Sequence, residues 1–413
     1  MKRCLKGALL LGTAVAGLNA AGYKLPEQSV SSMALGAAYV AHTTGADTAY
    51  YNPANMAFMD PQRQYVEGAL TWVHLPAIDY EGKQYLPSVG LVPADGSTKV
   101  ENIPVGHLFY VSPAYGAWRF GMSVAAPGGL SKRWDNPVQK LFAEEFTLKI
   151  IEANPSVAYR INDQWSIGAG VRMVYTDGRV KSDGMTSSGR LARDMNGDSV
   201  DWGYNLAVSY RPSKDWNFAV TYRSNVNLTV EGTATLYAGS PTTPIYRGGA
   251  RVTVPLPATL DIAAAKTFDD VLTVELVYER TFWSKYKKLD FNYDASLPVF
   301  DDPIDKSWKD SNTFRLGLSY RYNDRLTLMG GYAYDQTPVP DRTLGYELPD
   351  SDGNIFSAGF LYRQTENFAW GVAVLYDHKK SRSLSLGENE NGIVGTFKKG
   401  GAFLSTLGFR YRF

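Results

Sequence analysis

The stretch AFLSTLGFRYRF, residues 402–413, decides how this chain is to be read. Phe403, Leu407, Phe409, Tyr411 and Phe413 fall on one face of an extended chain, interrupted by Ser405. Ala402, Leu404, Thr406, Gly408, Arg410 and Arg412 fall on the other. Side chains alternate faces residue by residue along a strand, so one face is aromatic and the other small or basic. The same alternation recurs at 165–175, 216–223, 313–322 and 368–376. A soluble sandwich also alternates, but here the aromatics gather toward the ends of the apolar face, as rings at the two interfaces of a bilayer do.

Working outward, the connections sort into two sizes. Short polar turns stand near Gly116, Asn162-Asp163, Pro212-Ser213-Lys214, Asp269-Asp270, Asn323-Asp324 and Thr365-Glu366-Asn367. Long Gly/Pro/charge-rich connections alternate with them at 75–104, 126–145, 181–199, 231–250, 285–309, 336–352 and 381–400. Thirteen connections predict fourteen strands, an even number with short turns at one rim and long loops at the other. The predicted fold class is an all-β transmembrane protein: a 14-stranded antiparallel outer-membrane barrel over residues 63–413, with a small helical hatch at 21–62 plugging its lumen.

The N-terminus agrees with export. Lys2, Arg3 and Lys6 precede the apolar run Gly7 to Leu18, and small residues follow at Ala20 and Ala21, which reads as a signal peptide over residues 1–20. No later segment offers about 18 consecutive apolar residues, so no transmembrane helix is expected and a closed barrel is the remaining way to cross a bilayer. The destination is the outer membrane of a Gram-negative bacterium. The single cysteine, Cys4, lies inside the signal, so the mature chain is expected to have no disulfide, thiol nucleophile or thiolate metal site. Lys+Arg total 42 against 41 Asp+Glu, which excludes a nucleic-acid binder built on a basic field. His42, His74, His107 and His378 form no metal-ligand pair, and no nucleophile elbow or phosphate loop is present, so no enzyme and no cofactor is expected.

Before the first strand, Asn52-Pro53-Ala54 reads locally as an N-cap and first turn of helix. The start Ala21-Gly22-Tyr23-Lys24-Leu25, that tripeptide, the order plug then fourteen strands, and the stretches NPSVAYRINDQWSIGAGVRMVY (154–175), WNFAVTYRS (216–224), VPLPATLDIAAA (254–265), LVYERTFWSKYKKLDF (276–291) and DQTPVPDRTLGYELPDSD (335–352) together resemble the FadL family, the long-chain fatty acid transport proteins of the outer membrane. The resemblance covers essentially the whole mature chain. It implies capture of a hydrophobic ligand at the outer loops, an internal pocket, and sideways exit through a kink in the third strand, by passive diffusion.

Residues follow from that expectation. Asn52, Pro53 and Ala54 are the candidate hatch gate. Ser123, Ala126, Pro127, Gly128 and Gly129 mark the third-strand kink, since Pro and Gly interrupt ladders, and the opening there is expected to face Asn52–Ala54. Trp134, Leu141, Phe142 and Phe146 recur on an amphipathic outer helix started by Pro137 and form a candidate capture surface. Arg172, Arg179, Lys181 and Lys287 are candidate partners for a fatty-acid carboxylate. Asp290 stands where a lysine would have completed that set, which keeps neutral aromatic or aliphatic hydrocarbons open as ligands. Other expected partners are membrane lipid and lipopolysaccharide, and the barrel assembly machinery reading the terminal strand at Phe413; the chain is expected to be a monomer. Rival classes are a general aqueous porin, a surface adhesin and an outer-membrane acyl hydrolase.

Overall fold

The computed structural model describes residues 22–87 and 89–413; the signal-peptide expectation lies outside them. Among these residues fourteen strands run in order around a closed antiparallel wall. They are β1 (Tyr65–Leu75), β2 (Glu101–Tyr115), β3 (Trp118–Ala125, resuming as Gly129–Arg133), β4 (Glu145–Arg160), β5 (Trp165–Thr186), β6 (Gly189–Tyr210), β7 (Trp216–Arg223, resuming as Val226–Gly239), β8 (Tyr246–Leu256, resuming as Thr259–Phe268), β9 (Leu272–Thr281), β10 (Ser311–Arg321), β11 (Leu326–Asp335), β12 (Gly353–Arg363), β13 (Phe368–Lys379) and β14 (Gly401–Arg412). The ends meet when β1 pairs with β14, from Tyr65 opposite Arg412 to His74 opposite Phe403. Closure joins the first strand to the last, so no end strand is left unpaired in hydrocarbon.

The alternation read from the sequence is the alternation of the wall. Phe403, Leu407, Phe409 and Tyr411 are exposed on the outside while Ala402, Leu404 and Thr406 are buried inside. Phe314, Leu318 and Tyr320 face out, and Thr313 and Arg315 face in. No helix is long and apolar enough to cross a membrane among the described residues; the crossing is made by strands.

Two expected long loops are mostly strand. At 181–199, β5 and β6 pair without interruption from Tyr210 opposite Trp165 to Gly189 opposite Thr186, leaving a tight turn. At 231–250, β7 runs to Gly239 and β8 starts at Tyr246. Above the bilayer the outer face meets water, so polar and charged residues replace the apolar ones without ending the ladder. The connections 76–100 and 380–400 are also partly ordered: 79–86, 90–93, 96–97, 382–384 and 393–398 build a small sheet over the outer mouth.

The hatch fills the lumen. α1 (Val30–Ala34) starts at Ser29, whose hydroxyl accepts from Ser32 N at 3.2 Å. α2 (Thr48–Tyr51) and a 3₁₀ turn at Pro53–Phe58 follow. Pro53 is the first residue of that turn as expected, but the Asn52 side chain does not cap it. Small inner-wall residues exist because hatch backbone comes so close: a Cβ on Gly331 would strike the backbone of Leu35, and one on Gly168 would strike Pro53–Ala54. Val30, Met33, Ala34, Leu35 and Tyr39 then pack with Val73, Val105, Ile355, Leu375 and Leu404 into one buried cluster.

Candidate functional site: a broken strand and the segment that fills it

Between Ala125 and Gly129 the third strand leaves its ladder. Below the break β3 pairs on both sides, Val124 opposite Leu108 of β2 and Ala125 opposite Glu152 of β4. Above it, Gly129–Arg133 pairs with β4 alone, from Lys149 to Glu145. Three residues of β3, 126–128, thus face two of β4, 150 and 151, and the extra residue bends the strand. On the other side β2 from Glu101 to His107 pairs only with β1, which leaves a gap in the wall between β2 and β3. Arg133 closes the gap above with a bidentate pair to Glu101, at 2.6 and 2.5 Å.

Backbone groups freed by a break need partners, and the start of the hatch supplies them. Leu25 N donates to Pro127 O and Gly129 N donates to Tyr23 O, both at 2.8 Å. The Gln28 amide clamps Ala126, donating to its carbonyl at 2.9 Å and accepting from its N–H at 2.8 Å. Tyr23–Leu25 therefore stands in as a short strand. Leu25 precedes Pro26, and a residue before proline favours an extended backbone. Ion pairs hold the segment: Lys24 to Glu279, and Glu27 at 3.6 Å from Arg315, itself 3.6 Å from Glu279. The Tyr23 ring packs edge-on against Trp283, centroids 4.9 Å apart, and its hydroxyl donates to Pro255 O.

This segment separates two cavities. The outer one, about 80 Å³, is lined by Tyr23, Leu130, Phe146, Leu148, Val180 and Trp308 among other apolar groups, with Lys306 and Glu347 at its polar end. The inner one, about 60 Å³, is lined by Lys24, Leu25, Pro26, Pro127, Arg172 and Arg223 among others. Tyr23 thus faces the outer space, while Lys24 and Leu25 face the space beside the break.

The sequence-predicted residues divide accordingly. Ala126 to Gly129 form the break; Ser123 is buried just below it. Asn52 does not face the opening, which is a correction: its amide donates to Val40 O at 2.8 Å and Ser209 Oγ at 2.9 Å, and Pro53–Ala54 lie against β5 at Gly168. Residues 23–28 face the opening instead, because a broken ladder requires an extended partner and the 52–58 segment is helical. Phe146 lines the outer cavity and Phe142 is 39% exposed on α3 (Pro137–Ala143), with Leu141 against Gly184. Trp134 is fully buried, its indole N–H donating to Tyr346 O at 2.9 Å, so it is loop core and no capture surface.

Of the four cations, Arg172 is buried against Glu152 at 2.7 Å, and Glu152 also holds Arg223. Arg179 and Lys181 point to the outer face, because β5 continues as a strand and keeps the parity of exposed Val171; they lie near Asp194 at 3.7 and 3.2 Å. Lys287 is exposed on the 282–310 connection. Arg179 and Lys306 are the cations along the outer cavity, and Lys306 is the buried one, its side chain 3% exposed and paired with Glu347. Nothing periodic marks it, since it sits in a loop between the two-residue fragment Ile304–Asp305 and β10. Tyr23 and Gln28 were equally silent, although a free Gln amide is one of few side chains able to satisfy an N–H and a C=O at once.

Two hatch groups make docking depend on pH in opposite directions. Burial pushes the Glu27 carboxyl up to about 7, only partly offset by Arg315. Burial, helped by Arg211, holds the His42 imidazole down at about 4. Glu27 binds a proton on docking, so its contribution is full below its free value near 4.3 and fades as pH rises through about 7. His42 loses a proton on docking, so its contribution is full above about 6.5 and fades as pH falls toward 4. Both groups act in the native chain. Relative to it, His42→Gln should exchange amide hydrogen at 22–45 faster as pH rises from 5 to 8, and Glu27→Gln should do so as pH falls. Parallel profiles in both variants would refute the assignment.

A family model described as outer membrane protein transport protein (OMPP1/FadL/TodX) matches residues 12–413. The long-chain fatty acid transport protein of Escherichia coli O6:H1 (strain CFT073) is 25% identical over 450 residues, covering 99% of this chain and 98% of that one. Among solved structures, a Pseudomonas aeruginosa FadL homologue superposes with a TM-score of 0.80 at 19% identity, covering 95% of this chain and 99% of the other. The Pseudomonas putida toluene transporter TodX gives 0.72 at 18% identity, covering 96% and 99%.

Proposed function

The chain belongs to the OMPP1/FadL/TodX family of outer-membrane transport proteins, and from that premise we propose that it takes up long-chain fatty acids by passive diffusion, from the outer cavity past the Tyr23–Leu25 segment and sideways through the break in β3. It lies in the outer membrane of a Gram-negative cell and its family transports hydrophobic compounds. The observation that carries the route is that one short segment both separates the two cavities and fills the wall opening. Its withdrawal joins an apolar space to lipid in a single step. An apolar ligand gains on leaving water and loses nothing on reaching the bilayer, so its own gradient drives transport.

Lys306 is the proposed partner of the carboxylate. Glu347 occupies it in the ligand-free state and, at 20% side-chain exposure, has room to turn toward solvent. A second reading, uptake of neutral hydrocarbons, is favoured by the same pair, because Lys306 is already neutralised and Tyr23, Tyr286, Phe291 and Trp308 give the cavity an aromatic lining. Lys306→Met separates the readings. Uptake of labelled oleate into proteoliposomes should fall about tenfold, the weight of one hydrogen bond to a charged group, while toluene uptake holds. Unchanged oleate uptake would transfer the proposal to neutral ligands. Steady ion conductance without uptake of either would replace it with an aqueous porin.

A further inference from the structure

Beneath the hatch lies a basin of about 650 Å³, roofed by Ser31, Tyr39, His42 and Thr44 and open at the rim of short turns. It shares no lining residue with either cavity of the transport route. Four arginines of the wall enter it: Arg321 at the end of β10, Arg325 just ahead of β11, Arg363 at the end of β12 and Arg412 at the end of β14. Strand alternation aims them inward, since Tyr320, Tyr322, Leu328, Phe356 and Tyr411 on the opposite parity are exposed to lipid.

None of the four makes an ion pair among the described residues. The basin's acids are Asp270, Asp324 and Glu366. Asp270 is taken by Lys214 at 3.5 Å, and Arg321 reaches only its backbone oxygen. The fifth arginine, Arg410, is committed to Asp47 at 3.3 Å and Glu67 at 3.0 Å. Arg412 keeps a buried Nε with no partner. Arg325 and Arg363 stand directly opposite each other, Arg363 N donating to Arg325 O at 2.7 Å. Like charges placed across a strand pair repel and destabilise it. Neighbouring strands are about 4.8 Å apart, so one oxyanion can bridge both forks, and the guanidinium is shaped to bind an oxyanion with two hydrogen bonds.

We propose that the basin is a binding site for a multivalent oxyanion, a phosphate or polycarboxylate group arriving from the periplasm, clamped between Arg325 and Arg363 and flanked by Arg321 and Arg412. The site stands apart from the transport route, in a basin whose roof is the hatch.

The full chain in detergent micelles is titrated calorimetrically with inorganic pyrophosphate, with citrate and with chloride as a blank. Saturable binding of pyrophosphate or citrate is expected, weakened at least tenfold in R325Q/R363Q and weakened by added salt. R325Q/R363Q should keep heat-modifiable gel mobility and native oleate uptake, which distinguishes failure of this site from failure of the transport reading. Pyrophosphate alone binding identifies the group as phosphate; both binding identifies a general polyanion site. Absence of saturable binding of pyrophosphate and citrate at millimolar concentration, or equal binding by the folded double variant, would overturn the proposal.

Discussion

Deleting Pro127 should abolish uptake of a long-chain ligand while leaving the barrel folded. The break exists because residues 126–128 of β3 face only two residues of β4. Removing one equalises the count, and the third strand can then run straight and take up the free side of β2 between Glu101 and His107. Closure forces the ligand to leave along the axis into water. At about 0.8 kcal/mol per methylene, placing a sixteen-carbon chain in water instead of lipid costs on the order of 12 kcal/mol, so the axial route cannot replace the lateral one. Uptake of labelled oleate into proteoliposomes should fall to the protein-free background, and heat-modifiable mobility should be retained. Pro127→Ala keeps the residue count and hence the bulge, and should retain most transport. A folded deletion variant that transports normally would remove the side opening from the route.

The wall was legible because its signal is local. Period two over about ten residues assigned the lipid-facing aromatics of β14 and the inward arginines such as Arg172 and Arg315 without knowledge of any neighbour. The pattern misled where the strands leave the bilayer: above it Asp177, Arg179 and Lys181 continue the outward parity of Val171, yet from Lys181 onward the chain reads as loop because its surroundings change from lipid to water. The break in β3 was equally legible, since Pro127 cannot donate to a ladder and Gly128 weakens a strand. Its partner was not. Tyr23 to Gln28 meets residues 126–129 across about a hundred positions, through backbone bonds that leave no periodic trace, whereas Asn52-Pro53-Ala54 carries a strong local helix-start signal that says nothing about which wall it touches. Lys306 was hidden for the same reason, as a loop residue placed by the fold of the outer mouth.

The hatch should loosen most on loss of a single carboxylate, that of Glu275. This β9 side chain is buried and accepts from three successive backbone N–H groups of the hatch, Val40 and Ala41 at 2.6 Å and His42 at 3.1 Å. Glu275→Ala leaves all three without an acceptor in a site packed by Ala38, Ala263, Ala265 and Val277. At about 1–3 kcal/mol for each buried group left unpaired, the loss is on the order of 3–9 kcal/mol, comparable to the whole stability of a small domain. The barrel ladder is untouched, so the strain falls on the hatch floor, which separates the basin from the space above. Backbone amides at 38–45 should exchange far faster than in the native chain, and planar bilayers should show ion conductance above that of the native protein. Glu275→Gln keeps an oxygen able to accept from Val40 and Ala41 but turns an amide donor toward His42 N–H, so its effect should lie between. Slow exchange and a silent bilayer in Glu275→Ala would mean that hatch packing alone, with Leu35 and Tyr39 against the wall, holds the plug.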